Sequence, residues 1–126
     1  MITYEDFVPG QVMGSQATLL DAVKLQAWRA LFPEDDLNGT MPHGMVAAIA
    51  MGAYAELVQP RPPGNVHAVQ HFDLFRLPQA GETLTTTITC VAKEIRKERR
   101  RVTLQMDCAG PAGPAFRGIM TVLWAA

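Results

Sequence analysis

Residues 41–58 read "MPHGMVAAIAMGAYAELV", a helix-forming run in which Glu56 is the only acidic or basic residue after His43. A helix that is apolar around its whole circumference belongs in an interior rather than on a surface. Ala47, Ala48, Ala50, Gly52, Ala53 and Ala55 keep it thin, so other backbones can approach closely. The run is too short to cross a bilayer. Its cover must therefore come from the rest of the chain or from a second copy. Pro42, His43 and Gly44 stand at its start, and "QPRPPG" (59–64) ends it.

The segments around it supply that cover. Upstream, "TLLDAVKLQAWRALF" (18–32) offers Thr18 and Asp21 as caps. Val23, Ala27 and Ala30 then share a face with Leu20 and Leu31, and Pro33 stops the helix. "PEDDLNGTMP" (33–42) is a loop. Downstream the period changes to two. In "TLTTTITCVAK" (83–93), Leu84, Ile88, Cys90 and Ala92 fall on one face, with Thr83, Thr85, Thr87 and Thr89 on the other. In "RVTLQMDC" (101–108), Val102, Leu104, Met106 and Cys108 alternate with polar residues. "NVHAVQHFDLFRL" (65–77) and "AFRGIMTVLWA" (115–125) are further strands, with a short one near Gln11 to Ala17. The predicted order is β-α-α-β-β-β-β, an α+β domain in which an antiparallel sheet curls around one buried helix. Such a sheet leaves an edge and a helix flank for a second copy, so a homodimer or dimer of dimers is expected.

The totals bound the function. The 126 residues, 48% of them hydrophobic, make a single globular domain spanning 1–126. A formal net charge of -1 provides no general attraction to nucleic acid or to an anionic membrane. Cys90 and Cys108 fall on the same inner face as candidate cross-strand neighbours and lack CxxC or metal-ligand spacing, which predicts reduced, buried thiols and a cytoplasmic protein. "MITYEDFVPG" (1–10) has no basic stretch followed by an apolar one, so no secretion signal is expected.

Three segments resemble the hotdog fold, in particular its MaoC-like acyl-thioester hydratase/dehydratase branch. "PHGMVAA" (42–48) is similar to that family's helix-opening "AHGM". "FRLPQAGETL" (75–84) is similar to its "FxxP…GDTL" segment, and the "DLN" of 36–38 to the start of its "GDxNPxH" active-site loop. The resemblance implies an acyl thioester of coenzyme A or acyl carrier protein as ligand, no further cofactor, and reversible hydration of an enoyl thioester. It also implies Asp36 as acid/base with Asn38 orienting it or the water. The chain departs from the pattern where the motif's histidine would fall, at Met41, which cannot transfer a proton. Only His43 stands near enough to substitute. The "HGM" run is also similar to the loop of PaaI-type thioesterases, but Gly52 and its apolar neighbours stand where that branch carries its helix acid. Thioester hydrolysis and non-catalytic acyl-CoA binding are therefore the alternatives.

Each candidate has a plainer alternative. The N–H groups near His43, Gly44 and Met45 lie at a positive helix end and suit an oxyanion, and an imidazole exchanges protons near neutrality. His43 can equally be a packing residue. Asp36 and Asn38 also suit a turn with left-handed backbone at Gly39. "KEIRKERRR" (93–101) carries net +4, against -5 for the remainder. Arg99, Arg100 and Arg101 can hold the phosphates of coenzyme A or face an acidic carrier, or simply be a solvated hairpin. No aromatic residues interleave with these charges, which argues against nucleic acid. His67 and His71 are four apart on an inferred strand and would share a face, but lack a third ligand, so no metal site is expected.

Overall fold

The computed structural model describes residues 1–35 and 38–126. Its elements are β1 (Val12–Leu19), α1 (Ala22–Leu31), α2 (Met45–Leu57), β2 (Val66–Leu74), β3 (Thr83–Arg96), β4 (Arg99–Gly110) and β5 (Gly113–Trp124), in the predicted order. The strands form one antiparallel sheet ordered β1-β3-β4-β5-β2. β3, β4 and β5 are consecutive hairpins in its middle, and β1 and β2 are its edges. The β3–β4 turn has left-handed backbone at Lys97 (φ 51) and Glu98 (φ 62), the arrangement that matches a tight hairpin to strand twist.

The period-two pattern decides which face is wet. Leu84, Thr86, Ile88 and Cys90 on β3 and Val102, Leu104, Met106 and Cys108 on β4 are all buried on one side, as are Phe116, Met120, Val122 and Trp124 on β5. α2 lies across that side, packing on β1 and β3 through Met45, Val46, Ala50 and Ala53. Each large aliphatic residue buried there contributes about 1.5–3 kcal/mol of transfer free energy. A Cβ at Gly14 would come within 3.0 Å of Leu57 Cδ2, so glycine is what lets the end of α2 settle onto β1.

Five details depart from the sequence-based expectations. Ala92 is exposed because a register shift between Cys90 and Ala92 breaks the alternation. Burial of α2 is one-sided, since a single sheet covers one flank, and Ala47, Ala48, Gly52 and Ala55 remain exposed. Of the two candidate caps of α1 it is the later, Asp21, that serves, accepting from Lys24 N–H at 2.9 Å. The helix turns Leu25 and Trp28 inward, while Val23 (72% exposed) and Leu31 (75%) face out. The large Trp28 ring, with a polar tip that needs a partner, sets that rotation. Fourth, Cys90 pairs with Leu104 and Cys108 with Thr86, so the two thiols are not cross-strand neighbours. Last, a short 3-10 turn at Tyr4–Asp6 ties the N-terminus to the end of β5. Phe7 packs edge-on against Trp124 at 4.8 Å, and Trp124 Nε1–H donates to the Ile2 carbonyl at 2.9 Å.

Candidate functional site

The segment before α2 is stitched to the turn before β3. Met41 N–H donates to the Pro78 carbonyl at 2.8 Å, and Ala80 N–H donates to that of Gly39 at 2.6 Å. Gln79 Nε2 donates to Thr40 Oγ1 at 3.2 Å. The structure thus brings the residues leading into "PHG" against "FRLPQAGETL", two segments separated by more than a full strand in sequence. Gly39 (φ 87) is left-handed, as the turn chemistry of that loop predicts, and so is Asn38 (φ 53). Asp36 lies outside the described residues. Met41 is fully buried in the core.

Glu82 is the brace of this arrangement. Its carboxylate accepts from Arg76 at 2.9 and 3.1 Å and from Gln79 N–H, while Arg76 also donates to the Gly113 carbonyl at 2.9 Å. The Arg76 bond first, then the Gln79 N–H, hold the Glu82 carboxyl below the usual carboxylate range. The same bond raises the Arg76 guanidinium. Neither residue is distinguished by sequence pattern beyond lying in the matched segment, so the pairing was not expected.

At the start of α2, His43 and Gly44 are exposed. Met45 N–H donates to the Pro42 carbonyl and Val46 N–H to that of His43, both at 3.1 Å. The backbone N–H groups of His43 and Gly44 take no backbone acceptor among the described residues, which leaves them, rather than Met45, as donors toward a ligand. Gly44 is covered on one side by Trp28. A Cβ on Gly44 would lie 2.8 Å from Trp28 Cζ2, so the indole rests on the glycine. Trp28 is held there by a 3.0 Å hydrogen bond from Nε1–H to Asp35 Oδ2 and by a tilted stack with Phe32 at 4.7 Å. Trp28 was missed as a site residue; an aromatic with a polar tip seven residues before an acid was the available signal. Beside this clasp is a half-open cavity of about 200 Å³, between α1 and the segments on either side of the Gly39–Ala80 contact.

Other candidates lie elsewhere. Arg99 pairs with Arg96 in the β3–β4 hairpin, and Arg100 and Arg101 pair with the end of β5, at the far end of β3 from Glu82. The 14 residues of β3 separate those ends by roughly 40 Å along the strand, so within one chain these arginines do not approach His43. His67 and His71 do not share a face. A register shift between His67 and Val69 puts His67 opposite buried Val122 and His71 opposite Ile119 on the other side. His67 contacts Gln70 at 3.0 Å and His71 contacts Asp73 at 3.1 Å. Among the described residues no cluster of His, Cys, Asp and Glu could hold a metal ion. Cys90 and Cys108 are free and buried, and burial pushes both thiols up. No helix among the described residues is long and apolar enough to cross a membrane.

No family model and no curated protein matches the sequence. Solved structures do match. The MaoC-like dehydratase of Rhodospirillum rubrum is 20% identical, with a TM-score of 0.80 over 100% of this chain and 99% of that one. The R-hydratase PhaJ1 of Pseudomonas aeruginosa, in its unliganded form, is 20% identical, with a TM-score of 0.76 over 98% and 85%. A hot-dog-like protein of Thermanaerovibrio acidaminovorans is 19% identical, with a TM-score of 0.73 over 100% and 89%. The antiparallel sheet laid across α2 is therefore the hotdog fold, in the form that this chain shares with a MaoC-like dehydratase and an R-hydratase.

Proposed function

We propose that this chain catalyses the reversible addition of water to an enoyl thioester of coenzyme A or an acyl carrier protein. The observation that carries the reading is the exposed His43–Gly44 corner at the start of α2, where two N–H groups take no backbone acceptor among the described residues. The fold's likeness to hydratases supports the same chemistry. In this reading the Gly44 and His43 N–H groups polarise the thioester carbonyl and hold the enolate oxygen. Asp36 takes a proton from water as its oxygen bonds to the β-carbon, and the proton is returned to the α-carbon. Asn38 orients the water or Asp36, and His43 stands in for the histidine that Met41 replaces.

A homodimer belongs to the proposal. β2 is an unpaired edge carrying exposed Val66 (48%) and Val69 (51%), and the exposed flank of α2 is made of alanine and glycine. Twofold pairing of β2 edges would run the sheets antiparallel, directing one subunit's Arg99–Arg101 hairpin toward the end that holds the other's His43. The buried Met41 favours a second reading, a binder of acyl thioesters without turnover.

Mass analysis of enoyl-, 3-hydroxyacyl- and saturated acyl-CoAs incubated with the protein separates these. Gain or loss of water that Asp36→Asn abolishes is the expected result. Unchanged thioesters that still stabilise the fold would replace it with the binder, and free coenzyme A with a thioesterase.

A further inference from the structure

The cavity beside Trp28 has a size and a lining that restrict its occupant. Its apolar wall is Ala22 and Leu25 from α1, Gly39 and Pro42 from the loop, and Ala80 from the turn before β3, while Gln26, Arg29, Asp35 and Thr40 complete the lining. Three of those five are alanine or glycine, so the space exists because the side chains are short. The walls cannot relax inward easily. Gly39 and Ala80 are joined by a 2.6 Å backbone hydrogen bond, Met41 is tied to Pro78, and Glu82 clamps Gln79 and Arg76. A packed interior normally fills such a gap.

The cavity also adjoins the site. Pro42 is bonded to His43, and Asp35, which touches the cavity as well, holds the indole that covers Gly44. A thioester whose carbonyl meets the His43 and Gly44 N–H groups therefore has an apolar recess within a residue's length. Gln26 and Arg29 border the recess, and a chain that outgrew it would meet them and solvent.

We infer that this recess receives the acyl tail and limits it to about eight carbons; the inference rests on the thioester reading. The limit follows from volume: an apolar cavity of about 150 Å³ accepts the six carbons of benzene, and this one measures about 200 Å³. Each methylene that enters tightens binding roughly fourfold, and those beyond the limit add little.

Calorimetric titration of the intact protein with acetyl-, butanoyl-, hexanoyl-, octanoyl- and dodecanoyl-CoA tests it, alongside Ala80→Phe and Ala22→Phe. Both positions are exposed rather than part of the buried core, so a larger side chain there does not unfold it. The expected result is affinity that climbs to about octanoyl and then levels. In either variant the break moves to shorter chains while acetyl-CoA affinity is unchanged. Affinity that ignores length, or a break that neither folded variant moves, overturns the recess and leaves the thioester reading standing. A length ladder without turnover of any enoyl-CoA supports the recess and sinks hydration. Failure of every acyl-CoA to bind overturns both.

Discussion

Gly44→Ala tests the clasp at the start of α2, because two effects of opposite sign meet there. Gly44 has helical backbone (φ -62, ψ -25), which alanine adopts without strain. On backbone grounds alone the substitution stabilises by about 0.4–1 kcal/mol, since alanine loses less freedom on folding. Against this, the new Cβ would stand 2.8 Å from Trp28 Cζ2 and 3.4 Å from Cη2. The ring cannot swing away freely, because Asp35 holds its Nε1–H at 3.0 Å and Phe32 stacks on it. Forcing a methyl into a packed contact costs about 1–3 kcal/mol. Sterics win, and the net expectation is a loss of about 1–2 kcal/mol, or roughly 4–8 °C in Tm for a domain of this size. The assay is urea and thermal unfolding followed by far-UV circular dichroism, in the wild-type and the Trp28→Leu backgrounds. With the indole gone, Gly44→Ala should be neutral or stabilising, so the two effects are non-additive. A Gly44→Ala protein as stable as wild type, or the same penalty in both backgrounds, would refute the seating of Trp28 on Gly44.

Acid sensitivity should trace to Glu82. Its folded carboxyl is held below its usual range, so its contribution is complete above that range and is lost as pH falls through the depressed value. Urea midpoints of wild type and Glu82→Gln should therefore differ most near neutrality and converge in acid; a constant gap would exclude the linkage. Gly39→Ala places a side chain in open space at φ +87, so its cost is backbone strain alone, about 1–2 kcal/mol in chemical unfolding. A loss much larger would mean a contact the structure lacks. Cys90 and Cys108 are buried with raised pKa values and should react slowly with a thiol-specific disulfide reagent near pH 8 until denaturant is added. Rapid labelling of the folded protein would contradict that environment.

Much of the architecture is legible in local patterns. The apolar run from His43 marked α2, and the change from helical to period-two spacing marked β3 and β4 with their inner residues, apart from Ala92, which the register shift exposes, and Thr86, which is buried. Both signals arise from the repeat of the backbone itself, which sequence spacing reports directly. The start of α2 and the turn at Gly39 were legible for the same reason, since proline, glycine and asparagine dictate backbone angles. Tertiary structure decided the rest. One inserted residue near Ala68 sends His67 and His71 to opposite faces, because strand parity depends on pairing and not on spacing alone. The rotation of α1 follows from where the Trp28 indole finds Asp35, a contact between side chains rather than a period. Arg99–Arg101 proved remote from His43 because they sit at the far end of β3, a 14-residue strand. The Glu82–Arg76 brace and the recess between α1, Pro42 and Ala80 exist only where separate segments meet. Sequence by itself determined which segments become helix and strand, since those rest on local geometry. Which side chains meet around the start of α2 was decided only by the folded chain, since such contacts join residues far apart in sequence.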